Sequence, residues 1–253
     1  MYRRFLWPLV LSTLLLATGN AFSAEAETRL VDMAAKLADT KQFTVEIHMT
    51  YDVFQESGQV IEFGEVRTIQ ISRPDFFRVD ARQSDGDTGG LLFNGQTITQ
   101  FSETQNVYSQ IDRPGNIDEA IRYAVSELGV RFPLARMLMS SFPQEIARLT
   151  TDVNIVERNT LGPVATDHIA ARTDDLDYQV WIGEDNFPTR VVLTYLNSPG
   201  RPQFRADFSN WDTAPSLRRA SFTFKAPDEA EKIPTLLPVR SKAATNPTQG
   251  DTK

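Results

Sequence analysis

Cysteine is absent from the 253-residue sequence, and histidine occurs only twice. No disulfide can staple the chain, and no thiolate can act as a nucleophile or metal ligand. His48 and His168 stand in no metal-binding spacing. His48 falls on the polar parity of a strand and is expected in water; His168 is expected to make a structural hydrogen bond. There is no Gly-x-Ser-x-Gly elbow. The Gly89-Gly90 pair has no helix directly after it and so makes no phosphate cradle. Asp85-Gly86-Asp87 and Asp174-Asp175-x-Asp177 lack the ligand spacing of an EF-hand, and turn chemistry explains both. Paired carboxylates on an acidic surface identify no glycosidase. No catalytic residue, metal ligand or cofactor is expected, and an enzyme with an unrecognised site is the least supported reading.

Positive charge is also short, with 26 Lys and Arg against 33 Asp and Glu, a net charge of −7. Such a surface repels nucleic acid. Only the N-terminus carries a long apolar run. Arg3 and Arg4 precede Phe5 to Ala17, and small residues follow at Ala21, Ser23, Ala24 and Ala26. That order is the pattern of a secretory signal peptide, with cleavage expected after Ser23 or Ala24; an uncleaved anchor is the rival reading. The run falls short of the ~20 residues that span a bilayer, and no transmembrane segment is expected after cleavage. No Cys stands at the cleavage point, which excludes N-terminal lipid modification. Loss of the leader leaves 24 basic residues against 33 acidic, a net charge of −9. An exported chain of this size without cysteine points to a bacterial periplasm. The expected organisation is a leader over 1–24, one domain over 25–233, and a disordered tail over 234–253 rich in Pro, Thr, Ala, Asn and Gln.

Hydrophobic periodicity divides the rest. Leu30, Val31, Met33, Ala34, Leu37 and Ala38 have helical spacing, predicting a helix over 27–40 with Thr28 as its cap. Phe43, Val45, Ile47, Met49, Tyr51 and Val53 alternate with polar residues, predicting a strand with one buried face. The return strand carries Ile61, Phe63, Ile69 and Ile71. Glu65 and Arg67 break its parity, which predicts a bulge or exposed tip near Gly64. Phe77, Val79 and Ala81 form a third strand. Asn94-Gly95 predicts a type I′ hairpin. Residues 117–128 read as a helix capped by Asn116 and stopped by Gly129, and 133–139 and 143–149 as two short helices. Strands resume over roughly 152–158, 163–172, 177–183, 188–196, 202–210 and 220–225. Sequential hairpins make an antiparallel sheet, and its one apolar face is where the helices must bury their stripes.

The stretch Arg73-Pro74-x-x-x-Arg78, then Leu92-Phe93-Asn94-Gly95-Gln96-Thr97 and Val107-Tyr108, resembles the periplasmic lipoprotein-carrier superfamily (LolA/LolB-like). The Leu37 to Ile47 stretch is similar as well. Tyr178-Gln179-Val180-Trp181-Ile182, Phe187-Pro188-Thr189-Arg190 and Phe222-Thr223-Phe224-x-Ala226-Pro227 resemble an uncharacterised predicted periplasmic branch of it, a domain of unknown function. The similarity covers about residues 27–233. It implies an α+β, mostly antiparallel fold: a curled, half-open β-barrel with helices covering the concave face. It also implies an apolar ligand, either a lipid or an acylated protein, between sheet and helical lid. Arg73 then matches the arginine that latches the lid. The candidate cavity wall is Val45, Ile47, Met49, Phe63, Ile69, Ile71, Phe77, Val79, Leu91, Phe93, Ile121 and Met137. The alternation by itself fits a second arrangement equally well, in which these side chains pack solidly against the helices. The competing functional reading is an envelope protein-interaction or stress-sensing module built on the same half-barrel.

Overall fold

The computed structural model describes residues 17–234. Most of the expected leader, and the expected tail from residue 235 onward, lie outside the described residues. Helix α1 (Ala17–Asp39) is followed by six strands: β1 (Gln42–Phe54), β2 (Val60–Ser72), β3 (Phe76–Gln83), β4 (Thr88–Phe93), β5 (Thr97–Ser102) and β6 (Val107–Asp112). Then come α2 (Ile117–Ser126), a 3-10 turn (Ala135–Leu138) and α3 (Phe142–Leu149). Strands β7 (Asp152–Asn159), β8 (Thr166–Arg172), β9 (Leu176–Gly183), β10 (Pro188–Tyr195) and β11 (Gln203–Asp212) complete the meander. A two-residue strand, β12 (Glu231–Lys232), closes the described chain.

All twelve strands belong to one sheet, in the order β12-β6-β5-β4-β3-β2-β1-β11-β10-β9-β8-β7. Each neighbouring pair is antiparallel except β12 with β6, which is parallel. The two meanders are joined where β1 pairs with β11. Strand β7 is an edge and β6 lies next to the other edge, so the chain between them must traverse the sheet. It carries α2, the 3-10 turn and α3, and it does so on the apolar face. There Phe43, Val45, Ile47 and Met49 of β1 are buried, while His48 is exposed. The chain leaving β11 crosses the outer face to reach β12, and it covers part of that face over β3, β5 and β6. Phe222 packs on Phe76, and Phe224 sits between Phe101 and Tyr108.

Several local expectations need correction. Helix α1 begins ten residues earlier than its apolar stripe suggests. Ser23 to Ala26 contain nothing that breaks a helix, and Thr28 is no cap, because its hydroxyl donates to the Ala24 carbonyl at 2.9 Å. Over 133–139 only the 3-10 turn forms. Residues 220–225 form no strand but a 3-10 turn (Arg219–Phe222), because this segment lies across the sheet rather than beside a strand. The β4–β5 turn has positive φ at Gly95 and not at Asn94. A type I′ turn needs positive φ at both central residues, so the expected Asn94-Gly95 type I′ turn does not form. The Asn94 side chain accepts from the Gln96 and Thr97 amides instead.

Of the bulge or exposed tip expected near Gly64, the bulge is absent, because β1 and β2 pair without a break from Gln42–Ser72 to Phe54–Val60, while Val60, Ile61 and Glu62 at the tip are exposed. Glu65 and Arg67 stay on the apolar parity because they neutralise one another, with Nε 2.5 Å from Oε1 and both side chains largely buried. Arg67 also donates to the Arg131 carbonyl at 3.2 Å and lies over the Phe132 ring at 4.9 Å. The pair fastens the segment between α2 and the 3-10 turn onto the sheet. Removing one partner strands a buried charge, so Arg67→Met is expected to destabilise the fold by about 3 kcal/mol. The double variant Arg67→Met, Glu65→Leu should recover most of that loss, as read from urea-denaturation midpoints.

Candidate functional site

The apolar stripe of α1 places Ala26, Leu30, Met33, Ala34 and Leu37 against the sheet, all buried. Two arginines fix this helix. Near its middle, Arg29 donates to Asp167 on β8 at 2.8 Å, to the Gly183 carbonyl at 2.5 Å, and to Asn186 in the β9–β10 turn. At its C-terminal end, Arg73 Nη2 donates to the Leu37 carbonyl at 3.2 Å, which satisfies one of the orphan groups of a helix end. Burial lowers the pKa of the Arg73 guanidinium, against the opposing pull of Asp118 and Asp39.

Beside this helix the packing is incomplete. A hollow of about 460 Å³ lies among α1, the 3-10 turn, α3 and the strands β9 and β10. Leu30 and Met33 come from α1, Met137 from the 3-10 turn, and Phe142 and Ile146 from α3. The sheet supplies Leu176, Tyr178 and Val180 from β9 and Val191, Leu193 and Tyr195 from β10. These are alternate residues of two paired strands, so all six share one face. Besides α1, only a four-residue 3-10 turn and an eight-residue helix cover this half of the sheet, and they leave the hollow between them. The rim is polar, with Thr173, Asp174, Asp175, Glu145 and Arg136.

One hydrogen-bonded pair interrupts the apolar wall. The Thr150 hydroxyl donates to the Ile146 carbonyl at 2.6 Å, so at 2.6 Å from Tyr178 Oη it accepts the phenolic proton. Burial pushes the Tyr178 phenol up to about 12. Burial also raises Tyr195. Both phenols are neutral at ordinary pH, and the wall carries no charge. A second hollow, of about 330 Å³, lies on the outer face between the crossing segment and Arg78, Phe101 and Val107.

Of the twelve residues read from the sequence as a cavity wall, Met137 lines the larger hollow. Val45, Ile47, Met49, Ile69, Ile71, Phe77, Val79, Leu91 and Phe93 are buried in the same apolar cluster as Ile117, Ala120, Ile121 and Ala124 of α2. Phe63 is half-buried and stacks on Tyr51 with ring centroids 5.9 Å apart. The longer helix α2, buried along one side, occupies the space in front of the N-terminal strands. The missed wall residues carried a signal: Leu176, Tyr178 and Val180, like Val191, Leu193 and Tyr195, alternate with period two. The two histidines sit apart from this hollow. His48 is exposed beside Glu46. His168 bonds Gln179 at 2.9 Å and stacks on Trp181 with centroids 4.0 Å apart. Among the described residues no group of three or more His, Asp or Glu could hold a metal ion.

A single open, mostly antiparallel sheet of twelve strands, crossed by helices on its apolar face, defines the class: a helix-covered half-barrel. The chain belongs to the family described as predicted periplasmic protein (DUF2092), whose model matches residues 26–236. No curated protein matches it in sequence. Among solved structures it is similar to the MucA/MucB complex of Pseudomonas aeruginosa, at 12% identity and a TM-score of 0.44, over 80% of this chain and 62% of that one. It is similar to LprF from Mycobacterium bovis, at 12% identity and a TM-score of 0.45, over 82% and 98%. The LolA superfamily protein NE2245 from Nitrosomonas europaea matches at 10% identity and a TM-score of 0.37, over 79% and 97%. The chain thus spans less than two thirds of the MucA/MucB chain it matches. No helix among the described residues is long and apolar enough to cross a membrane.

The raised Tyr178 gives a pH signature. A phenol whose folded pKa exceeds its unfolded value contributes stability in full below pH ~10, and that contribution is lost as pH rises toward the folded value of about 12. Ultraviolet titration of native protein should show a tyrosine step near pH 12 that Tyr178→Phe removes.

Proposed function

We propose that this chain is a periplasmic, non-enzymatic binding protein that holds a lipid or acyl chain in the hollow between α1, α3 and strands β9 and β10. The mature protein is one domain over about 25–233, released by cleavage after Ser23 or Ala24. The observation that carries the reading is the hollow itself: about 460 Å³, walled mainly by Leu, Ile, Val, Met, Phe and Tyr. At ~30 Å³ for a group the size of a water molecule, its volume equals about fifteen such groups. Each buried methylene contributes about 0.8 kcal/mol, so a chain binds without any specific polar contact. Arg73 serves as the latch in this reading, because its bond to the Leu37 carbonyl holds the end of α1 in place over the sheet.

A second reading, an envelope protein-interaction module, draws on a different observation. Among the described residues strand β7 is an open edge, and exposed Val156, Leu161 and Val164 lie on it and on the turn that follows. An unpaired edge with apolar side chains is a surface that accepts an added strand.

Mass spectrometry of gently purified protein is expected to find a single-chain lipid bound near one per molecule, and delipidated protein should take up a fluorescent fatty-acyl probe. Leu193→Trp, which fills the hollow, should weaken uptake by about tenfold while the fold is kept, the loss of a few methylene contacts. Arg73→Leu should speed release of the probe. A protein that carries no lipid, takes up no probe and cross-links to an envelope protein through β7 would replace the first reading with the second.

A further inference from the structure

An apolar row of the sheet continues the hollow past the helical cover. It takes one residue from each of five neighbouring segments: Leu176 on β9, Tyr195 on β10, Pro202 just before β11, Val53 on β1 and Ile61 on β2. Leu176 pairs with Tyr195, and Val53 with Ile61. The Tyr195 amide donates to the Pro202 carbonyl at 3.2 Å. Pro202 and Val53 each stand two residues beyond the paired Phe204 and Tyr51, so they share the apolar face and lie opposite one another. Four strand spacings separate Leu176 from Ile61, about 19 Å.

This row is open where the rows behind it are closed. Leu176, Tyr195, Pro202 and Val53 are half-buried, and Ile61 is 37% exposed. One row further in, Phe204, Leu193 and Tyr178 are buried. The exposure arises because β1 and β2 outrun their neighbours: β3 pairs with β2 only from Glu65 onward, and β11 pairs with β1 as far as Tyr51. Two observations connect the row to the hollow. Leu176 and Tyr195 belong to both. The volume of the hollow equals about fifteen methylene-sized groups, so a longer chain has to leave it. An uncharged path leads away from that point, and an apolar chain lying on it removes apolar surface from water.

We propose that this row is the outer part of the ligand site, and that the guest is a single chain too long for the hollow. Its inner part lies among α1, α3, β9 and β10, and its outer part lies across Tyr195, Pro202, Val53 and Ile61. The polar head stays in water at the β1–β2 hairpin, because an unpaired polar group is costly to bury. This rests on the reading of the hollow as a ligand site and adds the length and path of the guest.

The test is displacement of the uncharged probe N-phenylnaphthylamine from delipidated protein. The competitors are sixteen-carbon palmitate and twenty-two-carbon erucate, both below their aggregation concentrations. Erucate is expected to displace the probe at about tenfold lower concentration, the gain from extra methylenes covered on one side. Val53→Ser, Ile61→Ser should close that gap to about twofold. The ratio of the two acids is the readout, so a general loss of affinity cancels. Erucate carrying a diazirine beside its carboxylate should label the tryptic peptide 42–67, which contains both residues. A diazirine at its methyl end should label the tryptic peptide 173–190, which contains Leu176, Tyr178 and Val180. Erucate no tighter than palmitate, a gap indifferent to the two substitutions, or labels exchanged between the peptides overturns the outer site and leaves the hollow intact. Sedimentation in which the substitutions abolish a dimer and spare the gap gives the row to a contact between copies, and overturns the outer site as well. Failure of the probe to bind, or of both acids to displace it, overturns the ligand reading and this inference with it.

Discussion

One face of this sheet is mainly apolar, and water must be kept off it. That requirement, together with the strand order, organises the molecule. Two meanders are joined through β1 and β11, so the chain from β6 to β7 has to travel across the whole sheet. Along that path it supplies α2, the 3-10 turn and α3, which cover the face the strands leave greasy. Helix α1 adds the rest of the cover. Burial of apolar area is the dominant favourable contribution to folding, and here the topology decides which segments provide it. The matching crossing on the outer face, from β11 to β12, buries Phe222 and Phe224 against Phe76, Phe101 and Tyr108. The sheet is thereby held from both sides without a disulfide.

Polar anchors tie the cover to the sheet at three places. Arg29 reaches β8 and the β9–β10 turn, Arg73 reaches the end of α1, and Arg67 reaches the segment before the 3-10 turn. Each is an arginine that donates to a backbone carbonyl while its stem stays among apolar side chains. The choice has a physical basis: a guanidinium offers five donors in a planar fork and remains charged at any ordinary pH. Such anchors set where the helices lie without filling the volume beneath them. Between Arg29 and the short α3, that volume stays partly empty.

The half of the face covered by α2 and the half covered by α3 differ accordingly. Asn116 begins α2 with a full capping box, its side chain bonded to the Glu119 amide and the Glu119 carboxylate to its own amide. That helix then buries Ile117, Ala120, Ile121 and Ala124 in the core. Helix α3 has no side-chain cap and buries Phe142 and Ile146. Less cover on that half leaves the hollow, and its floor is formed by Leu30 and Met33 of the well-anchored α1. In the proposed reading an apolar guest completes the packing there.

What the amino-acid sequence determined is what depends on near neighbours along the chain. Period-two alternation fixed β1, β2 and β3 and their buried parity, and Asn116 with Gly129 bounded α2. Absence of cysteine and the alternation together pointed to a disulfide-free, one-sided antiparallel sheet. Tertiary structure decided the rest. Glu65 and Arg67 read as a break in a strand, but across the pleat they are partners, and a buried ion pair is legible only when both ends and their surroundings are known. Phe222 and Phe224 read as strand residues, yet they face a sheet from above, because β12 claims a place at the far edge. The location of the hollow was likewise invisible: Val45 and Val180 have the same local pattern. Whether an apolar side chain meets a helix or empty space depends on how much cover arrives from distant segments, and no local periodicity records that.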